Sequence, residues 1–166
     1  KETAYQLSKV SSATKSLTIF SNSKSSLIGR TVTISGRKYK ITSTNKVTFL
    51  GMPKKSSTLT IPDTVKYSGK TYKVTSMPKM MPETNQIKES YIGKNITTIG
   101  SKSFYKCKNL KNITIKTSKL TLSKVGSSAF KGTYKKAKFK VPAKKKALYK
   151  KILVKRGASK KAKFTK

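Results

Sequence analysis

The chain has 166 residues, of which 34% are hydrophobic and 8% aromatic, and its 40 basic residues against four acidic ones give a net charge of +36. A chain of this length can bury roughly 70% of its unfolded surface in one domain, but so few apolar residues favour a thin core shared between stacked layers. No stretch approaches the ~18 apolar residues of a membrane span, and a single cysteine excludes an internal disulfide.

The positive charge predicts attraction to polyanions in general. All but three of the basic residues (Arg30, Arg37 and Arg156) are lysines, and residues 90–166 contain no acid at all. Arginine is the residue favoured for bidentate recognition of guanine edges and phosphates, so the lysine bias predicts no sequence-specific reading of nucleic acid. Charge that serves only solubility is an equally good interpretation.

Residues 1–25 are rich in serine, threonine and lysine, with one short apolar segment at residues 17–20. We interpret them as a polar leader or a loosely docked edge strand. The chain does not begin with the apolar run of a signal peptide, so in an exported protein this would be the mature or trimmed form.

Two hairpins are predicted next. Residues 31–42 (TVTISGRKYKIT) alternate apolar and polar side chains on both sides of Ser35-Gly36, which is typical of a β-hairpin. The same phrase returns further along the chain as TVKYSGKTYKVT, residues 64–75. We therefore expect a β lead-in over residues 26–75, built from an internal repeat.

A second type of repeat, with a different sequence pattern, follows over residues 76–142. Its unit recurs at one constant spacing: Ile99, Gly100, Phe104, Ile113 and Ile115 correspond to Val125, Gly126, Phe130, Phe139 and Val141. A degraded unit precedes it at a slightly shorter spacing, and in that unit Ser90 and Ile92 correspond to Ile113 and Ile115. Apolar positions that recur with a period of this length are typical of a solenoid.

The tail, residues 143–166, changes to a helical period. In AKKKALYKKILVKRG (143–157) the period puts Leu148, Tyr149 and Ile152 on one face, between Pro142 and Gly157 as boundaries. A basic amphipathic helix can bind membranes, but so narrow an apolar stripe favours a helix that closes the end of a core.

The pattern I-G-x-x-A/S-F-x-x-C-x-x-L-x-x-I-x-I in residues 99–115 resembles the repeat of the BspA-like leucine-rich repeat family of bacterial surface proteins. The next unit keeps Ala129 and Phe130 but departs from the pattern at Thr133 and Lys136. The resemblance implies a β-rich leucine-rich-repeat solenoid, a short right-handed superhelix of parallel strands, with an N-terminal β-hairpin cap and a C-terminal capping α-helix. One domain over residues 26–166 follows.

In such a repeat Cys107 is a small buried hydrophobe between Phe104 and Leu110. A catalytic thiolate needs a base, and the chain has no histidine; a zinc site needs several Cys or His ligands. We expect no enzyme, metal or cofactor. The predicted core comprises Ile99, Phe104, Cys107, Leu110, Ile113, Ile115, Phe130, Phe139 and Val141.

Stacked parallel strands would turn the intervening residues outward. One predicted row comprises Thr60, Tyr91, Thr114 and Lys140, and another comprises Glu89, Asn112 and Lys138. We take Tyr91, Thr114, Lys140, Asn112 and Lys138 as candidate binding residues, with Tyr91 as the main anchor because exposed aromatics are favoured binding hot spots. A merely solvated sheet face is an equally good interpretation.

Two functions remain open. The resemblance implies an exported module on the bacterial cell surface that contacts a host or neighbouring-cell protein or glycan. The alternative is a structural basic domain held on anionic cell-wall polymers by charge alone, without a specific ligand. A nucleic-acid role ranks third.

Overall fold

The computed structural model of the chain describes residues 27–53, 55–81 and 85–166. The leader or edge strand predicted over residues 1–25 lies outside them. The described residues form ten strands: β1 Thr31–Ile34, β2 Arg37–Ser43, β3 Lys46–Gly51, β4 Thr58–Ile61, β5 Thr64–Tyr67, β6 Lys70–Ser76, β7 Glu89–Ile92, β8 Asn112–Ile115, β9 Lys138–Lys140 and β10 Lys163–Thr165. The helix α1 spans Lys146–Lys155, and 3₁₀ turns span Leu122–Lys124 and Ala143–Lys145.

Strands β1 and β2 form the first predicted hairpin, in which Ile34 pairs with Arg37 across Ser35-Gly36. Both turn residues have positive φ, 48° and 73°, as in the type I′ turn whose twist suits a hairpin. Strands β5 and β6 repeat this arrangement around Ser68-Gly69, with φ of 49° and 74°. The repeated phrase therefore folds twice into the same local structure.

The two hairpins join through β3 into an N-terminal sheet with the order β1-β2-β3-β6-β5. Strands β3 and β6 are parallel, whereas the other neighbours are antiparallel. This sheet is therefore mixed, and apart from the pair of β3 and β6 its neighbouring strands are antiparallel, as the predicted hairpins require. The reason is local, since a two-residue turn can join only antiparallel strands.

The second sheet, here called the repeat sheet, has the order β10-β9-β8-β7-β4, and all its neighbouring strands are parallel. Ile92 pairs with Ile115 on the next strand, and Ile113 pairs with Phe139 on the strand after that. These pairs are the residues that correspond in the sequence repeats, so each repeat adds one strand to the sheet.

One continuous hydrophobic cluster extends through both sheets. The nine residues expected in the core are at most 3% exposed: Ile99, Phe104, Cys107, Leu110, Ile113, Ile115, Phe130, Phe139 and Val141. Phenylalanine rings link successive coils, since the ring centroids of Phe104 and Phe130 lie 5.1 Å apart and those of Phe139 and Phe164 lie 5.0 Å apart, both pairs stacked. The thin core is thus a column of repeated apolar positions.

The glycine after each Ile99-type position lies where one coil touches the backbone of another. A Cβ on Gly126 would collide with the backbone of Ser101, and a Cβ on Gly100 would collide with that of Pro78. Any side chain there would push the coils apart, which explains why both repeat units hold glycine.

The helix α1 buries Tyr149, Ile152 and Leu153 in the hydrophobic cluster. Leu148, assigned to the buried face from the sequence, is 43% exposed; that assignment is wrong, and Leu153 takes its place. The Tyr149 hydroxyl donates to the carbonyl of Thr117 at 2.8 Å and accepts the N–H of Leu120 at 3.1 Å, which fixes the rotation of the helix. No helix in the described part of the chain is long and apolar enough to cross a membrane.

Strand β10 was missed in the tail. It pairs in parallel with β9, Phe164 beside Phe139. The signal was present, because AKFK at residues 137–140 returns as AKFT at residues 162–165, close to the spacing of the preceding repeats. The helix α1 is therefore an insertion between two rungs of the repeat sheet and not the last element of the chain.

Candidate functional site

The repeat sheet presents two rows of outward side chains, because successive residues of a strand point to opposite faces. The first, here called the Tyr91 row, follows the register of the strands: Thr60, Tyr91, Thr114, Lys140 and Thr165. Its first four members are those expected from the sequence, and β10 adds Thr165. None of the five is buried.

The second, here called the Asn112 row, lies two positions earlier on each strand: Thr58, Glu89, Asn112, Lys138 and Lys163. Glu89, Asn112 and Lys138 were expected from the sequence, and the register adds Thr58 and Lys163. The Asn112 amide Nδ2 donates to Glu89 Oε1 at 3.2 Å. This hydrogen bond links β8 to β7 on the outer face. Lys138 and Lys163, on β9 and β10, take no part in it.

Tyr91 is the large side chain of its row and is 40% exposed. Its neighbours in register, Thr60 and Thr114, are short, so open space remains on both sides of the ring. A hollow of about 680 Å³ lies on one side, and one of about 160 Å³ lies on the other. Tyr91 and Lys116 line both hollows.

The larger hollow is bordered by one aromatic residue, one threonine, two lysines and three apolar residues: Tyr91, Thr114, Ile115, Lys116, Lys140, Val141 and Pro142. Ile115 and Val141 are at most 3% exposed, so their side chains belong to the core. Lys116 and Lys140 are exposed, and none of the described residues that line this hollow is acidic. Its electrostatic potential is therefore positive, and an anion would meet no fixed negative charge from that lining.

The smaller hollow contains an acid, Asp63, together with Thr60 and Lys116. The carboxylate of Asp63 already has partners: its Oδ1 accepts the N–H of Lys94 at 2.7 Å, and its Oδ2 lies 3.6 Å from Lys94 Nζ. Asp63 thus fixes the loop after β7 and is not available as a free ligand for a cation.

Charge is distributed unevenly along the two rows. Glu89 lies on β7, whereas Lys138, Lys140 and Lys163 lie on β9 and β10. Lys138 and Lys163 are in register on neighbouring strands, roughly 4.8 Å apart at the backbone, where like charges repel each other. The sheet face therefore becomes more positive from β7 toward β10.

A separate basic hollow of about 740 Å³ lies on the outer side of α1. It is lined by Ala147, Lys150, Lys151, Val154, Lys155 and Lys160. None of these residues belongs to either row. This basic surface therefore differs in composition from the sheet face, since its lining contains no aromatic ring among the described residues.

Neither an exposed thiol nor a metal-ligand cluster lies beside these surfaces in the described part of the chain. Cys107 is fully buried and lines none of the hollows described above. Among the described residues no group of three or more His, Cys, Asp and Glu could hold a metal ion. Burial raises the pKa of the Tyr39 hydroxyl, an effect that the nearby Arg37 opposes, but Tyr39 lies in the core of the N-terminal sheet.

Lys116 and Pro142 were not predicted as site residues. Lys116 follows Ile115, the last residue of β8, and Pro142 follows the buried Val141 just after β9. Both therefore lie at the carboxyl edge of the repeat sheet. Parallel strands bring such residues together at one edge. The positions that follow each I-x-I phrase were the available signal.

Comparison with known protein families and solved structures identifies leucine-rich repeat proteins in both cases. The family model described as the BspA type leucine rich repeat region matches residues 79–165, in six copies. That span is more than half of the chain. No curated protein is significantly similar to the chain.

Similar solved structures include a leucine-rich cell surface protein from Faecalibacterium prausnitzii (17% identity, TM-score 0.50, 69% of this chain and 37% of that one). A leucine-rich repeat protein from Bacteroides ovatus has 21% identity and a TM-score of 0.50, over 67% of this chain and 35% of that one. A leucine-rich repeat protein from Bacteroides capillosus has 16% identity and a TM-score of 0.56, over 82% of this chain and 99% of that one. The chain spans about a third of the first two, and the likeness shows the leucine-rich-repeat fold.

Proposed function

The chain belongs to the BspA-type leucine-rich repeat family, and from this premise we propose that it is a non-enzymatic binding module exported to the bacterial cell surface. One observation carries the proposal: the exposed ring of Tyr91 stands between two hollows on the outer face of the repeat sheet. Exposed aromatic side chains of this kind are favoured as binding hot spots. The structural neighbour from Faecalibacterium prausnitzii is a leucine-rich cell surface protein, which supports the location.

The ligand would be a protein or glycan of a host or of a neighbouring cell, bound through the repeat sheet and its adjoining loops. Five strands span only roughly 19 Å at the usual strand spacing, which is small beside the roughly 800 Å² that each partner contributes to a standard interface. The residues after the strands, such as Lys116 and Pro142, would therefore take part in contact.

We also propose three structural features of the chain as part of this module. They are the right-handed sense of the coil, the capping role of the N-terminal sheet, and the division into lead-in (26–75), repeats (76–142) and cap with tail (143–166).

The alternative is a basic domain that anionic cell-wall polymers retain by charge alone. The observation in its favour is the net charge of +36, with no acid in residues 90–166. Retention of this kind depends on the number of neutralised charges and falls steeply as salt rises.

The test is a glycan and matrix-protein binding array, probed at ~50 mM and ~300 mM NaCl, since these salt concentrations bracket physiological screening. Tyr91→Ala is compared with Tyr134→Ala, because Tyr134 is similarly exposed (38% against 40%) but lies outside both rows. The ring of Tyr134 also has a cation over it already, Lys111 Nζ at 5.6 Å from its centroid. Specific recognition predicts binding that persists at the higher salt and is lost only with Tyr91→Ala.

Binding that disappears at the higher salt and is the same in both variants would leave the electrostatic alternative. Binding that persists at high salt but ignores Tyr91→Ala would contradict the sheet face as the binding surface.

A further inference from the structure

We propose that the larger hollow beside Tyr91 binds a sugar ring that bears a carboxylate, within an acidic glycan. The inference rests on the proposed function and narrows it to one class of ligand. It follows from the three kinds of group that meet in this hollow: an aromatic ring, a hydroxyl and two lysines without an acidic neighbour in the described lining.

The shape and lining suit a sugar ring. A pyranose has an apolar C–H face and a polar rim, and Tyr91 and Pro142 offer apolar contact while Thr114 offers a hydroxyl. A volume of about 680 Å³ lies within the range of small-ligand sites, which combine a largely apolar lining with a few placed polar groups. The hollow is open, so the ring could belong to a longer chain.

The charge selects an acidic sugar. Lys116 and Lys140 line the hollow from two different coils, those of β8 and β9. The acid in the neighbouring hollow, Asp63, is engaged by Lys94. A carboxylate between the two ammonium groups would form charge-assisted hydrogen bonds and would also relieve their mutual repulsion.

An acidic peptide fits this surface less well. An extended peptide binds by adding a strand to a sheet edge, and a helix needs a groove of apolar anchors. The hollow lies on the sheet face, where the backbone groups of β7, β8 and β9 are already paired in the ladder. The side chains of the two rows are threonine, tyrosine, asparagine, glutamate and lysine, so no apolar groove is present in them.

The charge distribution also gives the glycan a direction. From Tyr91 on β7, a chain that crosses the strands toward β10 would pass Lys140 and then Lys138 and Lys163, the in-register pair. In the opposite direction, toward β4, it would approach the acidic Asp63. Further acidic units should therefore lie on the β9–β10 side.

The experiment measures binding of the whole chain to oligogalacturonate, a polymer of carboxylate-bearing sugars, by titration calorimetry at ~150 mM NaCl, near physiological ionic strength. The fully methyl-esterified oligomer has the same rings without the charge, and polyglutamate has the charge without the rings. Lys116→Gln/Lys140→Gln is compared with Lys150→Gln/Lys151→Gln, which removes the same net charge from the separate basic hollow on α1.

We expect oligogalacturonate to bind, its methyl ester and polyglutamate to bind at least about tenfold more weakly, and Lys116→Gln/Lys140→Gln to weaken oligogalacturonate binding by about tenfold or more. Tyr91→Ala should weaken it too, whereas the α1 variant should change it less than about threefold. Circular dichroism checks that each variant is folded.

Three results would overturn the inference. They are equal binding of polyglutamate, equal loss in the two double variants, and no binding of oligogalacturonate at all. In each case the proposed function stands if the array finds another ligand that depends on Tyr91, so the two failures can be told apart.

Discussion

Ser90 is the residue at which the repeat pattern and the packing disagree. It stands in the inward row between Leu59 and Ile113, is 1% exposed, and its hydroxyl has no hydrogen-bond partner among the described residues. A buried hydroxyl without a partner loses the hydrogen bonds that water gives it in the unfolded chain. The degraded unit recognised from the sequence thus coincides with a weak point in the core.

We predict that Ser90→Ala raises the free energy of unfolding by about 1 kcal/mol, since it removes an unsatisfied buried polar group. Chemical denaturation measures the change. Ser103→Ala is the matched control: Ser103 is also buried, but its hydroxyl lies 2.7 Å from the carbonyl oxygen of Pro78 and 2.8 Å from that of Gly100, so the same substitution should lower stability there. A loss of stability in Ser90→Ala would contradict the prediction.

For Cys107, fully buried in the core, we predict a structural role. Cys107→Ala should lower the free energy of unfolding by about 1–2 kcal/mol, because it leaves a small cavity, and should leave ligand binding intact. Denaturation and the binding array measure the two effects separately. Loss of binding in a variant that remains folded would give the thiol a functional role instead.

At the scale of elements, regular repeats were predictable and their exceptions were not. The rungs β7, β8 and β9 and the two outward rows follow from period-2 alternation and from the recurrence of the repeat units, because corresponding residues occupy corresponding positions in a stacked coil. The rotation of α1 did not follow, since Leu148 and Leu153 fit a helical stripe with Tyr149 and Ile152 almost equally well. The contacts of the Tyr149 hydroxyl with another coil decide it.

The hollows beside Tyr91 were not predictable from the sequence, because they too depend on contacts between different coils. Their rims combine residues that follow three strands, such as Gly93, Lys116 and Pro142, and no sequence spacing reports how such loops fold over the sheet edge. Tyr91 itself was predictable because it lies within a strand.

The hydroxyl of Tyr149 holds α1 against the neighbouring coil, because it forms hydrogen bonds with two backbone groups of that coil. Tyr149→Phe would leave the Leu120 N–H and the Thr117 carbonyl without their partner. We predict that it lowers the free energy of unfolding by roughly 1–3 kcal/mol at pH 7, measured by chemical denaturation. Leu148→Ala, on the exposed side of α1, is the control and should cost much less.

The same phenol gives a pH dependence. Burial raises the pKa of Tyr149 above its ordinary value of 10.0, and the hydrogen bond from Leu120 acts in the opposite direction. The folded chain therefore keeps this proton at a pH where the unfolded chain releases it, so the stabilisation is fully present below pH 10 and is lost as the pH rises beyond it. The stability difference between the wild type and Tyr149→Phe should stay constant up to about pH 9 and shrink above pH 10; a difference that grows there would contradict the assignment.

For the whole molecule, the stability of the fold depends on two opposing contributions. Burial of a thin apolar core favours folding, and repulsion among the excess positive charges opposes it. The core is a single column of apolar side chains, while the net charge of +36 favours expansion of the chain through self-repulsion. Added salt screens this repulsion more strongly than it affects the pairing of Asp63 with Lys94, since lysines far outnumber acids. Stability should therefore increase with salt.

We predict that the midpoint of thermal unfolding at pH 7 rises by several degrees between ~20 mM and ~500 mM NaCl, because the Debye length falls from roughly 20 Å to about 4 Å. Lys163→Gln removes one member of the in-register pair with Lys138, so it should stabilise the chain by a few tenths of a kcal/mol at low salt and by less at high salt. Lys135→Gln removes the same charge from an exposed site outside both rows and should give a smaller gain. A midpoint that is independent of salt, or equal effects of the two substitutions, would mean that the lysines are already neutralised or too far apart to interact.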